Sequence, residues 1–304
     1  MKQIIWILQT VIFYVFTRAT AIIPLRSTYT TGRYIGRILF TLLANRRKIA
    51  IDNIEKALPF MQHHPSFSYP HKSSEEIARD TFTHLGISIV EACQLYHGKG
   101  KSILSNIEIR GRENYYSAKA KHKGVIFVGG HCGNWELMSL SFKELFGENM
   151  WGIARHQNNP YLNRIVEQMR TRYGTQIIYS KSALRPILGV IKKDGVIGML
   201  ADQAVFPENG ALIEMLGRKA WANKAPVIIA HKTGVPLVPV FTHRENDRHV
   251  ITIHPEYELC GDKSEEGIQR DIQALSRYLE DFICAHPTDW YWVHRRWKRA
   301  GEPI

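Results

Sequence analysis

"GVIFVGGHCGNWELMSLSFKELF", residues 124–146, decides the fold. It opens on a short apolar, β-rich run that ends in two glycines, the pattern of a buried strand. From Asn134 to Phe146 the apolar residues recur at helical spacing, so the stretch reads as strand, tight turn, helix. The same rhythm continues downstream. "MWGIAR" is a strand, and "PYLNRIVEQMRTRYG" is a helix with Pro160 at its first position and Gly174 at its end. "TQIIYS", "SALRPILGVIKKDG" and "VIGMLAD" repeat strand, helix, strand, and "NKAPVIIAHKTG" adds a helix. "PLVPVFTH" and "HVITIHPEYEL" are two strands that fit an antiparallel hairpin, and "SEEGIQRDIQALSRYLEDFICAH" is a final long helix. This alternation predicts an α/β fold with a mixed, mostly parallel central sheet flanked by helices. In such sheets the working residues sit where strands end and helices begin.

Upstream the chain is helical. "RRKIAIDNIEKALPF" (46–60) has helical apolar spacing that stops at Pro59, and residues 73–96 open with a serine cap and early acids before a long helix. The first segment, "IIWILQTVIFYVFTRATAII" (4–23), has about the ~20 residues a bilayer span needs, diluted by Gln9, Thr10 and Arg18. Cleavage after Ala19-Thr20-Ala21 would make it a signal peptide, and burial would make it a core helix. A retained N-terminal membrane-anchoring helix is preferred, because the following "LRSTYTTGRYIGRILFTLLANRRK" stays apolar and basic, as a membrane-surface helix would. The expected division is an anchor over 1–24 and a catalytic domain over 25–304. Arg26, Arg33, Arg37, Arg46, Arg47 and Lys48 follow the apolar run and only Lys2 precedes it, which predicts that the body faces the cytoplasm.

Composition sets the outer limits. A hydrophobic content of 44% in 304 residues is ample for a packed core and excludes a disordered chain. Forty Lys and Arg against 28 Asp and Glu give a formal charge of +12, a field that attracts phosphates, anionic lipid or acidic proteins. The four cysteines, Cys93, Cys132, Cys260 and Cys284, lack paired spacing, so neither a zinc knuckle nor a disulfide framework is indicated.

The candidate chemistry lies in "GGHCGNWE" (129–136). On one continuous helix His131 and Glu136 would be separated by ~140° and point apart, unlike the i, i+4 pairs of helical metal sites. With His131 on the turn before the helix they can face each other, Gly133 or Asn134 capping the helix and Glu136 favoured as an anion in its first turn. Glu136 would then accept a hydrogen bond from one imidazole nitrogen, leaving the other as a base. Such a pair has no nucleophile of its own and suits activation of a substrate hydroxyl. Three other readings remain open. His131 and Glu136 can be an ordinary loop histidine and first-turn acid. Zinc would need further ligands, for which His243, His249 and His254 are the available cluster. Cys132 sits in a near match to the nucleophile elbow G-x-C-x-G, broken by Asn134.

"HCGNWE" resembles the H-x4-D/E motif of glycerolipid-type acyltransferases, and its surroundings resemble the bacterial lipid A biosynthesis acyltransferases, the late lauroyl and myristoyl transferases. The blocks "RRKIAIDNIEKALP", "ARHQNNPYLNRIVEQMRTRYG", "GVIGMLADQ", "EMLGRKAWANKAP", "AHKTGVPLVPVF" and "DWYWVHRRWKR" run in family order from about residue 32 to 299. The resemblance implies that His131 and Glu136 are the catalytic dyad. It implies that Arg155 lies near the acceptor's phosphate or sugar, and that Asp202 and Gln203 line the same cleft. It further implies transfer from acyl carrier protein to a hydroxyl of a lipid A precursor or related glycolipid, with no metal and no cofactor beyond the carrier's thioester, at the cytoplasmic face of the inner membrane. "EMLGR" and "AWANKAP" depart from the family's usual aromatic and Thr-rich runs, which leaves the acceptor open.

The C-terminal "WYWVHRRWKR" interleaves aromatics with cations. Base stacking on nucleic acid and residence at bilayer headgroups are both compatible with it. Beside a membrane anchor the second is expected, and nucleic acid is not expected as a partner.

Overall fold

The computed structural model describes residues 2–301. Four helices open the chain: α1 (Lys2–Ile22), α2 (Thr28–Leu42), α3 (Ala44–Gln62) and α4 (Ser74–Tyr96), followed by the short α5 (Lys101–Leu104). Then come β1 (Ile107–Arg110), α6 (Arg112–Lys119), β2 (Val125–Gly129), α7 (Glu136–Phe146), β3 (Met150–Ala154), α8 (Pro160–Thr171), β4 (Gln176–Tyr179), α9 (Leu184–Lys192) and β5 (Val196–Leu200). A hairpin of β6 (Gly210–Met215) and β7 (Arg218–Asn223) precedes α10 (Ala225–Thr233), β8 (Leu237–Glu245), β9 (Arg248–Ile253) and α11 (Glu265–Ala285).

The sheet runs β1-β9-β8-β2-β5-β3-β4. All its pairings are parallel except β8 with β9, the expected antiparallel hairpin. Helices cover both faces, so a strand such as β2 is apolar along its length rather than alternating. Val125 and Phe127 pack with α6 and α7, through Tyr115, Ala118 and Phe142. Ile126 faces the opposite layer, where α9, α10 and α11 contribute Ile187, Val227, Ile272 and Phe282. The strands place the ends of β2, β3 and β5 side by side, and those ends carry His131, Arg155 and Asp202.

Helix α4 begins where its sequence says it should, with Ser73 and Glu76 forming a reciprocal capping box. Helix α3 runs a turn past the expected stop at Pro59, because Met61 is drawn into the core. Besides the helices α5 and α6, two β features lie outside the sequence expectations. One is the edge strand β1, only four residues long, which pairs with β9. The other is the β6–β7 hairpin, whose turn residues Leu216 and Gly217 both have positive φ (51° and 73°) without the usual Asn-Gly signal.

The N-terminal helices join this body by close backbone approach. Gly32 and Gly36, one turn apart on α2, meet Gly86 on α4; a Cβ at Gly86 would overlap the Gly32 carbonyl and the Gly36 amide. Small residues at i and i+4 allow this contact, as in helix pairs of membrane proteins. Gly86→Leu is expected to destabilise the protein by at least the ~1–3 kcal/mol typical of overpacking, measured by denaturant unfolding; an unchanged midpoint would contradict the contact.

Candidate active site

The β2 strand ends at Gly129, and the chain turns through Gly130 to His131 before α7 starts at Glu136. Gly133 has φ +53°, and a Cβ there would press on the Thr242 carbonyl oxygen, so the turn requires glycine. The loop is held from behind. Gly133 donates its amide to the Asp289 carbonyl (2.6 Å), and Tyr291 donates its amide to the His131 carbonyl (3.1 Å). Asn134, expected as a helix cap, instead donates its side-chain amide to the buried Glu91 (3.0 Å). Glu91 in turn takes Arg244 (2.6 Å) and His249 (2.9 Å).

The carboxylate on the His131 ring is Asp202. Its Oδ1 lies 2.7 Å from Nδ1, and its Oδ2 accepts the His131 backbone amide at 2.9 Å and the Trp290 indole N–H at 3.0 Å. Asp202 is buried at 5% exposure, so these donors must carry its charge. Burial alone would raise its pKa, yet the His131 charge and the hydrogen bonds from His131 and Trp290 hold it below the usual carboxylate range. Burial likewise opposes the imidazolium of His131, and the Asp202 charge and hydrogen bond overcome that and raise the pKa. With Nδ1 donating to Asp202, Nε2 is the free lone pair, and the Gln203 amide points at it from 3.3 Å. Trp135 and Tyr291 wall the ring, with centroids 5.2 and 6.1 Å away.

Glu136 does not make the hydrogen bond to His131 expected from the sequence. As the first residue of α7 it is turned toward α8, where Arg170 binds it in a fork, Nη2 to Oε1 at 2.6 Å and Nε to Oε2 at 3.1 Å. Tyr96 from α4 sits beside this pair, and burial, then the Glu136 charge, push its hydroxyl well above the ordinary value. Glu136 still favours the charged imidazolium through its field, while Arg170 opposes it.

A cavity of about 500 Å³ begins at His131 and runs between α7 and the sheet. Arg155, Arg170, Gln203 and Trp135 line it with His131, and Phe127, Met138, Met150, Ile177 and Val240 supply apolar walls. Its shape comes from two missing side chains. Gly152 on β3 and Gly198 on β5 are register partners. The Met150 thioether folds over Gly198, whereas a Cβ on Gly152 would meet nothing within 4 Å. Glycine inside a strand commonly marks close approach by a ligand. Here it leaves open space along the apolar-walled part of the cavity.

The other sequence candidates separate. Arg155 and Gln203 are exposed at the cavity, with Asp202 behind them. Cys132 is fully buried, and burial, then the Asp202 and Asp289 charges, push its thiol well above the ordinary value. That is the setting of an inert thiol. His249 binds Glu91, His243 stacks on His286 and His254 packs against Tyr278, so the three histidines considered for zinc have separate partners. The C-terminal aromatic run is not a headgroup patch. Trp290, Trp292, Arg296 and Trp297 are all under 4% exposed. Trp290 hydrogen-bonds Asp202 directly, a role the spacing of aromatics and cations does not signal.

A strand-end histidine backed by a buried carboxylate at an apolar-walled cavity is an arrangement that can hold a neutral imidazole as a base. The family description "bacterial lipid A biosynthesis acyltransferase" matches residues 2–299, and the chain belongs to that family. It is similar to the lipid A biosynthesis lauroyltransferase of Escherichia coli (strain K12), 21% identical over 93% of this chain and 89% of the relative. The palmitoleoyltransferase of the same organism is 22% identical over 88% and 83%. A phosphatidylinositol mannoside acyltransferase of Mycobacterium tuberculosis (strain CDC 1551 / Oshkosh) is 21% identical over 62% and 59%. The protein is therefore an acyltransferase of lipid A biosynthesis type.

The raised His131 pKa makes a pH prediction. A role for neutral His131 as base predicts that the acidic limb of the rate profile lies above the ordinary imidazole value of about 6.5. Asp202→Asn removes the anion, lowers the His131 pKa and should move that limb to lower pH, with a plateau loss of roughly 10²–10⁴. A limb unmoved by Asp202→Asn would contradict the pairing.

Proposed function

We propose that the protein moves a fatty acyl chain from acyl carrier protein to a hydroxyl of a lipid A precursor at the cytoplasmic face of the inner membrane. The observation that carries this reading is the fixed His131 ring, with Nδ1 on buried Asp202 and Nε2 at the head of the apolar trough. His131 Nε2 takes the acceptor's proton as its oxygen attacks the thioester carbonyl. The Asp202 carboxylate fixes the tautomer and offsets the charge that develops on the ring. The tetrahedral intermediate then collapses, the C–S bond breaks, and the carrier thiolate recovers the proton from His131. No acyl-enzyme is needed, and no cofactor beyond the carrier's thioester.

Arg155 suits the acceptor's phosphate or sugar, because it is a cation at the cavity edge on the end of β3. Glu136 serves the reaction indirectly: it fixes Arg170 beside the trough and keeps that cation from dominating the field at His131. The formal charge of +12 favours both an acidic carrier protein and a phosphorylated glycolipid. The similarity to a mannoside acyltransferase supports a second reading, the same reaction on another membrane glycolipid. The acceptor that gains mass separates the two.

The test is purified protein with acyl carrier protein charged with chains of different length and an under-acylated lipid A precursor, read by mass spectrometry. Wild type should add one acyl mass, and His131→Ala should lose roughly 10²–10⁴ in rate. If wild type adds mass to no acceptor tried, the reading fails. Gly152→Leu fills the trough where there is open space. It should shift the longest chain transferred to a shorter one while retaining transfer of short chains. An unchanged chain-length profile would remove the acyl chain from the trough.

A further inference from the structure

Helix α1 is amphipathic the wrong way round for a helix facing water. The side against the body carries Trp6, Thr10, Phe13, Thr17, Thr20 and Ala21, spaced mostly at three and four residues, and Thr10, Thr17, Thr20 and Ala21 are buried. The outward side is apolar: Ile4 is 71% exposed, Leu8 58%, Ile12 59%, Val15 58% and Ile22 67%. A continuous patch of that kind calls for an apolar environment outside it. The helix is long and apolar enough to cross a bilayer. It is docked along its length against the body.

Polar contacts tie α1 to the body along its length. Asn159, at the start of α8, donates to the Trp6 carbonyl (2.8 Å) and the Thr10 hydroxyl (3.1 Å). His97 pairs with the Thr17 hydroxyl (3.0 Å), and Gln94 donates to the Ile23 carbonyl (3.1 Å). From Trp6 to Ile23 is ~26 Å of helix at 1.5 Å per residue. The body beside α1 is polar where it docks, through Asn159, His97 and Gln94. If α1 crossed the membrane, that flank would enter the hydrocarbon with it.

Charge identifies the lipid. Residues 1–51 contain eight Lys and Arg and no Asp or Glu, the first acid being Asp52. On α2, Arg33 and Arg37 alternate with exposed Tyr34 and Ile38. Cations beside apolar and aromatic side chains fit the boundary of an anionic bilayer.

We propose that α1 lies in the plane of an anionic membrane, inserted from the side of the catalytic body through its outward face, and does not cross. This rests on the docking of α1 and not on the acyl-transfer reading, and its test needs no activity. Protease sites are placed before Met1 and after Ile304 of the full chain, and sealed inverted membrane vesicles are prepared from expressing cells. Both sites should be cut without detergent. Cleavage of the first only after detergent, with the second cut at once, would mean a spanning helix and overturn the proposal. In the same membranes Leu8→Asp with Val15→Asp should move the chain to the soluble fraction. Full retention would overturn the role of the outward face. With purified protein, sedimentation with phosphatidylethanolamine vesicles should strengthen when phosphatidylglycerol is included and weaken with added salt; indifference to both would overturn the anionic choice.

Discussion

Asp202 has almost no solvent contact and three donors: the His131 ring, the His131 amide and the Trp290 indole. A carboxylate in such a place is tolerable only while all three are present, since an unpaired buried charge costs several kcal/mol. The β2 turn, the β5 end and the C-terminal segment therefore have to meet at one point. Once they do, the imidazole has one orientation and one tautomer. The remaining architecture serves this point: the glycine turn at 133, the Glu91 network behind Asn134, and the C-terminal tryptophans buried beneath the loop.

Much of this is legible in the sequence, because strand and helix periodicity depends on local spacing. The α/β rhythm, the β8–β9 hairpin and the capped start of α4 all follow from short stretches. His131 stands out because a glycine turn between a buried strand and a helix is a local signal. The short edge strand β1 and the Leu216-Gly217 hairpin do not, because four residues, or a turn without Asn or Asp, carry little periodic information.

The partner of His131 differs from the expected one for a physical reason. Glu136 is near in sequence, but the first residue of a helix points according to the helix axis, and α7 turns it toward Arg170 on α8. Asp202 is 71 residues away from His131 and arrives only because β5 lies next to β2, an adjacency that no local pattern encodes. The C-terminal aromatics pose the same problem. Alternating Trp and Arg reads as a surface for lipid or bases, and only the tertiary fold shows Trp290 on Asp202 and Arg296 in the core. The outward side of α1 is the converse: its large apolar residues remain exposed, while its threonines make the contacts to the body.

The central claim is that Asp202, rather than Glu136, holds the His131 ring. Nitrogen-15 NMR of the histidine side chains tests it directly, in wild type and in the two carboxylate variants. The His131 ring of wild type and of Glu136→Gln should be the Nδ1–H tautomer, with a proton shifted downfield by its hydrogen bond to carboxylate, and Asp202→Asn should lose that resonance. A resonance that survives Asp202→Asn and disappears in Glu136→Gln would contradict the account.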